Sequence, residues 1–244
     1  ADDPIEQKRL LREARVSAML QHPNTMPTYE LGRDQKGHYY FTMKLVHGYT
    51  FREIMNYRER YDLSQLLDIV IQVAYALEYA HTHGVVHRDI KPDNILVGPF
   101  GEVLLLDWGL AKVRSEDGST AAFDELDSLA SSEDKSMTGF QKLQGTVCYM
   151  SPEQMEKAPD IDGRTDIYSL GVLLYEAITG RTAAVGDTVD QVIASTKNDV
   201  PPTPSELTQL PVPTLLDKLI MHCLQKNPDD RPQTMAEVIR TLKQ

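Results

Sequence analysis

Three side chains within residues 87–94 could carry out chemistry together. The stretch reads His-Arg-Asp-Ile-Lys-Pro-Asp-Asn. Asp89 supplies a carboxylate, which can accept or orient the proton of a hydroxyl group. Lys91 supplies an ammonium that can face an anionic group, and Asn94 supplies a neutral amide oxygen of the kind that Mg²⁺ prefers. A short loop can direct all three groups to one point, although a charged surface turn would have the same composition.

A second oxygen ligand for a metal follows in the tripeptide Asp107-Trp108-Gly109. Two short apolar runs, residues 95–97 and 103–106, lie between it and Asn94, and Gly-Pro-Phe-Gly separates the runs. This pattern predicts a β-hairpin, which returns the chain to its starting point. Asp107 is therefore expected beside Asn94, where its carboxylate and the amide oxygen could bind one metal ion.

A third motif, Ser151-Pro152-Glu153, completes a set with a known order and spacing. The three motifs resemble the catalytic loop, the metal-binding tripeptide and the end of the activation segment of protein kinases. Trp108 stands where the family usually has Phe, and Ser151 where it usually has Ala. On these motifs the chain is identified as a member of the protein kinase superfamily, of the bacterial, eukaryotic-like Ser/Thr type.

The resemblance implies an activity and a set of catalytic residues. The activity is transfer of the γ-phosphoryl group of ATP, with Mg²⁺, to Ser or Thr hydroxyls of protein substrates. Asp89 would face the acceptor hydroxyl and Lys91 the transferring phosphate, while Asn94 and Asp107 would bind Mg²⁺. Thr146 matches the threonine that bonds to the catalytic aspartate and lysine, and with Lys91 it favours Ser/Thr over Tyr acceptors.

The resemblance also implies a nucleotide site. Glu13 lies where the family's small-lobe helix carries the glutamate that pairs with a strand lysine, although a solvated helix glutamate is the alternative. Met43 matches the gatekeeper, and the segment from Lys44 to Val46 matches the hinge whose backbone meets adenine. Leu96 would contact adenine from below, and Lys91 and Asp107 would lie at the phosphates.

Further matched positions are expected to be structural: His87, Arg88, Trp108, Gly109, Glu153, Asp166 and Arg231. Asp166 would accept hydrogen bonds from the backbone amides of His87 and Arg88, with a plain helix N-cap as the alternative. Arg231 would pair with Glu153.

Arg88 is expected to bind a phosphate carried by the activation segment, since a phosphate and a guanidinium form charge-assisted bonds. The candidate phosphorylation sites are Thr138, then Ser136 and Ser131, with a merely solvated Ser-rich loop as the alternative.

Hydrophobic spacing predicts the elements that position these residues. Helices are expected at 5–20, 63–83, from Asp166 onward, at 215–224 and at 235–242, and strands at 26–31 and 38–46. The helix from Asp166 is apolar nearly all round, which predicts a buried position. The Pro-rich run 201–204 is expected to be a loop, and the Ser- and acid-rich segment 113–142 a long, mobile activation loop.

These elements predict an α+β, protein-kinase-like fold with a mostly α-helical large lobe and a truncated small-lobe sheet. Residues 1–46 would be the remnant of the small lobe. Residues 47–244 would be the large lobe, with the catalytic loop at 87–94 and the activation segment at 107–153. Neither a Gly-rich loop nor the strand lysine precedes Glu13, and the sequence starts with Ala1. We therefore expect a fragment that is inactive by itself.

Composition narrows the class of partner. The formal net charge of −11 argues against nucleic-acid binding, and no apolar run is long enough for a membrane helix. The two cysteines have no metal or redox spacing and indicate a reducing, cytoplasmic compartment. The sequence does not predict an oligomeric state.

Three other interpretations compete with an active protein kinase. A pseudokinase scaffold would usually have lost Asp89, Asn94 or Asp107, and all of these are present. A small-molecule kinase of related fold would not need Thr146, the Ser-Pro-Glu motif or a long activation loop. The histidines at 81, 83 and 87 could be a metal cluster, but their spacing spans a predicted helix end.

Overall fold

The computed structural model describes residues 4–113, 145–209 and 211–244. Its helices are α1 (Pro4–Met19), α2 (Phe51–Asn56), α3 (Leu63–Thr82), α4 (Pro152–Met155), α5 (Arg164–Thr179), α6 (Val189–Asn198), α7 (Pro204–Leu207), α8 (Thr214–Cys223) and α9 (Met235–Leu242). Short 3₁₀ turns lie at Arg58–Arg60, Pro92–Asn94 and Pro228–Asp230.

The described strands form three small antiparallel sheets. They are β1 (Thr28–Arg33), β2 (Tyr39–Met43), β3 (Tyr49–Thr50), β4 (Val85–Val86), β5 (Ile95–Val97), β6 (Val103–Leu105) and β7 (Lys112–Val113). β1 pairs with β2, β5 lies between β3 and β6, and β4 pairs with β7. The fold is helix-rich with little sheet, as the sequence predicts.

The core is built around α5. Fourteen of its sixteen residues are buried, which the sequence predicts from its apolar character on all sides. α5 packs against α3 and α8, and α9 packs against α3. The buried apolar residues of these helices belong to one continuous cluster.

Helix ends place the catalytic loop. At the start of α3 the Asp62 side chain accepts a hydrogen bond from the backbone N–H of Gln65. The Gln65 side chain in turn accepts one from the backbone N–H of Asp62. This capping box satisfies amides that have no partner within the helix. After α3 the chain turns at Gly84, whose φ of +70° favours glycine, and enters β4. The catalytic loop follows directly.

The predicted helices and strands are present with shifted ends. α5 begins at Arg164 and not at Asp166, and the first strand covers Thr28–Arg33 and not residues 26–31. The expectation of a loop at 201–204 was wrong at Pro204, which begins α7 because proline fits the first turn of a helix. Val113, expected in the activation loop, lies in β7. In the part that the model describes, no helix has the length and apolar character needed to cross a bilayer.

Candidate active site

The catalytic loop joins β4 to the 3₁₀ turn Pro92–Asn94 and is held by its own side chains. Lys91 Nζ lies 2.8 Å from Asp89 Oδ2. The amide nitrogen of Asn94 donates to the same oxygen and to the backbone carbonyl of Asp89, both at 2.9 Å. Because the nitrogen of Asn94 faces Asp89, its amide oxygen is the atom available to a metal.

Thr146 lies at the same point. Its hydroxyl is 3.3 Å from Lys91 Nζ, so one ammonium contacts both Asp89 and Thr146 although 55 residues separate Lys91 from Thr146. The structure therefore brings together three residues that the sequence assigned to one catalytic group.

The predicted hairpin brings Asp107 to this group. β5 and β6 pair with Ile95 opposite Leu105, and the amide of Leu106 donates to the carbonyl of Asn94 at 2.8 Å. Asp107 follows with φ of +59°, an uncommon conformation for a residue other than glycine. Its Oδ1 accepts from the Gly109 amide at 3.2 Å.

A cavity of about 520 Å³ lies between α1, β2 and the catalytic loop. Asp89, Lys91, Asp107, Thr146 and Glu13 are among its lining residues. The described residues that line the rest of it include apolar side chains of α1 and β2 and the charged residues Glu6 and Arg9. The cavity thus has carboxylates and an ammonium at one end, a composition suited to an anion bound together with a metal.

Glu13 is a half-buried carboxyl in this cavity. Burial, and secondly the negative charge of Asp107, raise its pKa from 4.5 to about 7. No described lysine or arginine forms an ion pair with it. Its predicted role in positioning nucleotide phosphates remains a prediction.

The predicted hinge does not line the cavity. Met43 is 42% exposed, Lys44 is exposed, and Val46 and Leu96 are half-buried. The amide of Lys44 donates to the carbonyl of Pro27 at 3.1 Å. The structure brings none of these four residues to the cavity wall, and their contact with adenine stays a prediction.

Asp166 connects the catalytic loop to α5. Its side chain is fully buried and accepts from the amides of His87 at 2.9 Å and Arg88 at 2.8 Å, which are the two hydrogen bonds predicted. His81 Nε2 lies 2.8 Å from Asp166 Oδ2. Burial raises the pKa of Asp166, but the hydrogen bond and charge of His81 and the hydrogen bond from the Arg88 amide outweigh burial and lower the pKa. A buried carboxylate with these partners fixes the backbone that leads to Asp89.

The buried rings of His87 and Trp108 pack against each other beneath the catalytic loop. His87 Nδ1 accepts from the Asp89 amide at 3.2 Å, so its Nε2–H donates to the carbonyl of Leu106 at 3.0 Å. The His87 and Trp108 rings lie 4.5 Å apart between centroids. Both side chains are buried, and their structural role remains a prediction.

Arg88 has φ of +68°, and its Nε donates to the carbonyl of Leu110 at 2.7 Å. The side chain of Gln154 donates to the Arg88 carbonyl at 2.7 Å. The candidate phosphorylation sites Thr138, Ser136 and Ser131 lie outside the described residues, so their contact with Arg88 remains a prediction.

The predicted pair between Glu153 and Arg231 is present and bidentate, with N–O distances of 2.7 and 2.8 Å. Thr165 also donates to Glu153 at 3.0 Å. Burial raises the pKa of Glu153, but the hydrogen bonds and charge of Arg231 lower it below its ordinary value. The Arg231 side chain is fully buried and also donates to three backbone carbonyls, so the pair joins α4 to the C-terminal helices.

Sequence reasoning missed several residues that support the site. Gln154 follows Ser151 by three positions, a capping-box spacing that could have identified the start of α4. His81 was weighed only as a metal ligand, and the described residues contain no metal-binding cluster of His, Cys, Asp or Glu. Its actual partner, Asp166, is 85 residues away, and no local pattern reports such a contact.

Comparison with known proteins gives concordant results. A family model described as "Protein kinase domain" matches residues 1–241. The chain is 34% identical to the serine/threonine-protein kinase PknD of Protochlamydia amoebophila over 99% of its own length and 26% of that protein. It is 32% identical to the serine/threonine-protein kinase PknB of Mycolicibacterium smegmatis over 98% of its length and 36% of that protein. A probable serine/threonine-protein kinase of Streptomyces coelicolor is 34% identical over 98% of the chain and 33% of its own length. The chain thus spans about a quarter to a third of the length of these relatives.

Proposed function

The chain belongs to the protein kinase domain family, and from this premise we propose that it transfers the γ-phosphoryl group of ATP to Ser and Thr hydroxyls of protein substrates. Three of its relatives are named as serine/threonine-protein kinases, and the chain covers a quarter to a third of their length. The substrates and partners of the whole protein are part of the proposal.

The contact of Lys91 with both Asp89 and Thr146 carries the proposal. Oδ2 of Asp89 accepts from Lys91 and from Asn94, which leaves Oδ1 to accept a hydrogen bond from an acceptor hydroxyl. The ammonium of Lys91 then lies beside the oxygen that attacks and the phosphate that is transferred. Positioning and charge neutralisation of this kind supply most of the catalysis in phosphoryl transfer.

Protein kinases use ATP and a divalent cation. We propose Mg²⁺ here, held by the amide oxygen of Asn94 and the carboxylate of Asp107, because both are the hard oxygen ligands that this ion prefers. Bound Mg²⁺ would neutralise charge on the nucleotide phosphates. Lys91, on the other side of the site, would hold the transferring phosphate.

Ser and Thr are the proposed acceptors because the Thr146 hydroxyl contacts the ammonium of Lys91, beside Asp89, which would bind the acceptor hydroxyl. A scaffold without catalysis and a kinase of small molecules are the alternatives. The intact set of Asp89, Asn94 and Asp107 favours catalysis over a scaffold. Cys148 and Cys223 form no disulfide, and this absence and the use of ATP support a cytoplasmic location.

The test is a radiolabelled-ATP assay on the protein in the form that its host expresses, with Mg²⁺. A generic protein acceptor is compared with a panel of small alcohols, and the Asp89→Asn variant serves as the blank. We expect label on protein, recovered as phosphoserine and phosphothreonine and absent with the variant. Label on small alcohols alone, or protein label that persists in the variant, would contradict the proposal.

A further inference from the structure

A cluster of the buried Tyr149 with the half-buried Arg52 and Glu176 lies beside the catalytic loop and is not used in the function proposed above. Arg52 Nη1 lies 2.7 Å from Glu176 Oε1 on α5, and its Nη2 donates to the Tyr149 hydroxyl. The Tyr149 hydroxyl in turn donates to Glu176. Each member thus contacts the other two, although 97 residues separate Arg52 from Tyr149 and 124 separate it from Glu176.

Tyr149 is fixed at both ends. Its ring is 3% exposed, and its backbone carbonyl accepts from the Ser169 hydroxyl of α5 at 2.8 Å. Burial, and secondly the charge of Glu176, raise the pKa of the Tyr149 hydroxyl, so it remains a neutral donor. The ring and the backbone of this residue are therefore both held against α5.

The cluster reaches the catalytic group from two sides. Tyr149 lies three residues after Thr146, and its amide donates to the Thr146 carbonyl at 3.1 Å. On the other side, Arg52 Nε lies 3.5 Å from the carboxylate of Asp93, which directly precedes Asn94 in the catalytic loop. One guanidinium thus connects the segment that carries Thr146 to the loop that carries Asp89 and Lys91.

We propose that Arg52 is a positioning residue for the protein acceptor. It acts through Tyr149 and Asp93 and holds the segment 146–149 at the distance where Thr146 meets Lys91. This inference rests on the proposed function, because the position of the acceptor matters only if a protein hydroxyl is phosphorylated. A planar guanidinium that contacts three groups in fixed directions cannot be replaced by an ammonium of the same charge.

The variants Arg52→Lys and Tyr149→Phe test the cluster with small changes in volume. Arg58→Lys is the matched control: Arg58 is also half-buried and also reaches α5, but among the described residues its side chain hydrogen-bonds only to the Ile178 carbonyl, at 3.4 Å. KM for a protein acceptor, KM for ATP and kcat are measured for each. Hydrogen exchange of residues 145–151 is measured on the same samples.

We expect Arg52→Lys and Tyr149→Phe each to raise the acceptor KM by about tenfold and to leave the ATP KM within about twofold. The double variant should be no worse than the worse single one, since both remove the same contact. Exchange of residues 145–151 should become faster in both variants and stay unchanged in Arg58→Lys.

Two results would overturn the inference. The first is an acceptor KM that does not rise in Arg52→Lys, or that rises as much in the control Arg58→Lys. Either outcome would mean that Arg52 serves stability alone. The other is unchanged exchange of residues 145–151. That second measurement does not depend on phosphoryl transfer, so it still decides whether Arg52 holds the segment 146–149 if the protein phosphorylates no acceptor and the proposed function fails.

Discussion

Two carboxylates line the same cavity but have different surroundings. Asp89 is bonded to Lys91 and Asn94, whereas Asp107 is bonded to its own turn through the Gly109 amide. In the proposed function, the first carboxylate would face the acceptor hydroxyl and the second would bind the cation. A difference in contacts therefore predicts a difference in mutant phenotype.

Variants of the two aspartates should differ in their affinity for the nucleotide. In the protein as its host expresses it, Asp89→Asn should lower kcat by about 10²–10⁴-fold and leave Mg²⁺–ATP affinity within about threefold, since it removes a proton acceptor. Asp107→Ala should remove both turnover and most of the Mg²⁺-dependent part of the affinity, because it removes a metal ligand. Calorimetric titration with and without Mg²⁺ measures both, and equal losses of affinity in the two variants would contradict this division.

Glu13 makes stability depend on pH. Its pKa of about 7, against 4.5 for an ordinary glutamate, means that the folded chain binds a proton more tightly than the unfolded chain between these values. The free energy of unfolding should therefore fall as pH rises through this window. Denaturant unfolding without Mg²⁺ at about pH 5 and about pH 7.5 should show a smaller decline in Glu13→Gln than in the parent. Equal declines would mean that Glu13 titrates normally.

Helix α5 lies close to α8 at Gly171. A Cβ built on this residue would lie 2.6 Å from the Cβ of Cys223 on α8, an atom fixed by backbone. Alanine raises helix propensity by up to about 1 kcal/mol, but overpacking of a core costs about 1–3 kcal/mol, so the clash should win.

We therefore expect Gly171→Ala to lower the free energy of unfolding by about 1–2 kcal/mol, measured by urea denaturation. Gly145→Ala is the control, because no atom of the described residues, its chain neighbours aside, lies within 4 Å of a Cβ at that position. Stabilisation by Gly171→Ala would show that α8 can shift away without cost.

Local patterns predicted the large elements well, and contacts across long sequence distances were not accessible to them. The 3.6-residue spacing of apolar side chains gave α1, α3, α5, α8 and α9, since a continuous core requires apolar helix faces. The ends moved by a few residues, because capping contacts determine where a helix starts. α6 was missed, although Thr188 and Gln191 form a capping box at its start.

In the candidate site too, local contacts could be predicted from the sequence and contacts between distant residues could not. Asp89, Lys91 and Asn94 are close in sequence and could be grouped directly, and the hairpin pattern brought Asp107 to them. Contacts such as Arg52 with Glu176 depend on how helices pack, which one sequence does not report. The hinge was predicted from order along the chain alone, and order does not determine which side chains face a cavity.

At the scale of the whole molecule, the two ends of the cavity differ in how they pack against the hydrophobic core. The catalytic loop rests on α3 and α5, inside the continuous core. The opposite wall is made by α1 and β2. β2 pairs only with β1 among the described strands, and this two-stranded sheet carries exposed apolar side chains at Tyr29, Leu31 and Met43. The core should therefore unfold cooperatively, whereas the sheet side presents surface to association.

The 244-residue chain by itself is expected to fold but to transfer phosphate poorly. Glu13 has no cationic partner among the described residues, so Glu13 supplies no ion pair there that would hold α1 at the phosphate end of the cavity. Because positioned charge supplies most of the catalysis in phosphoryl transfer, its loss should cost several orders of magnitude in rate. The radiolabelled-ATP assay on the 244-residue chain should give turnover within about tenfold of the Asp89→Asn blank, while circular dichroism shows one cooperative unfolding transition. Vigorous turnover that Asp89→Asn abolishes would contradict this expectation, and would mean that α1 and the catalytic loop suffice to position ATP.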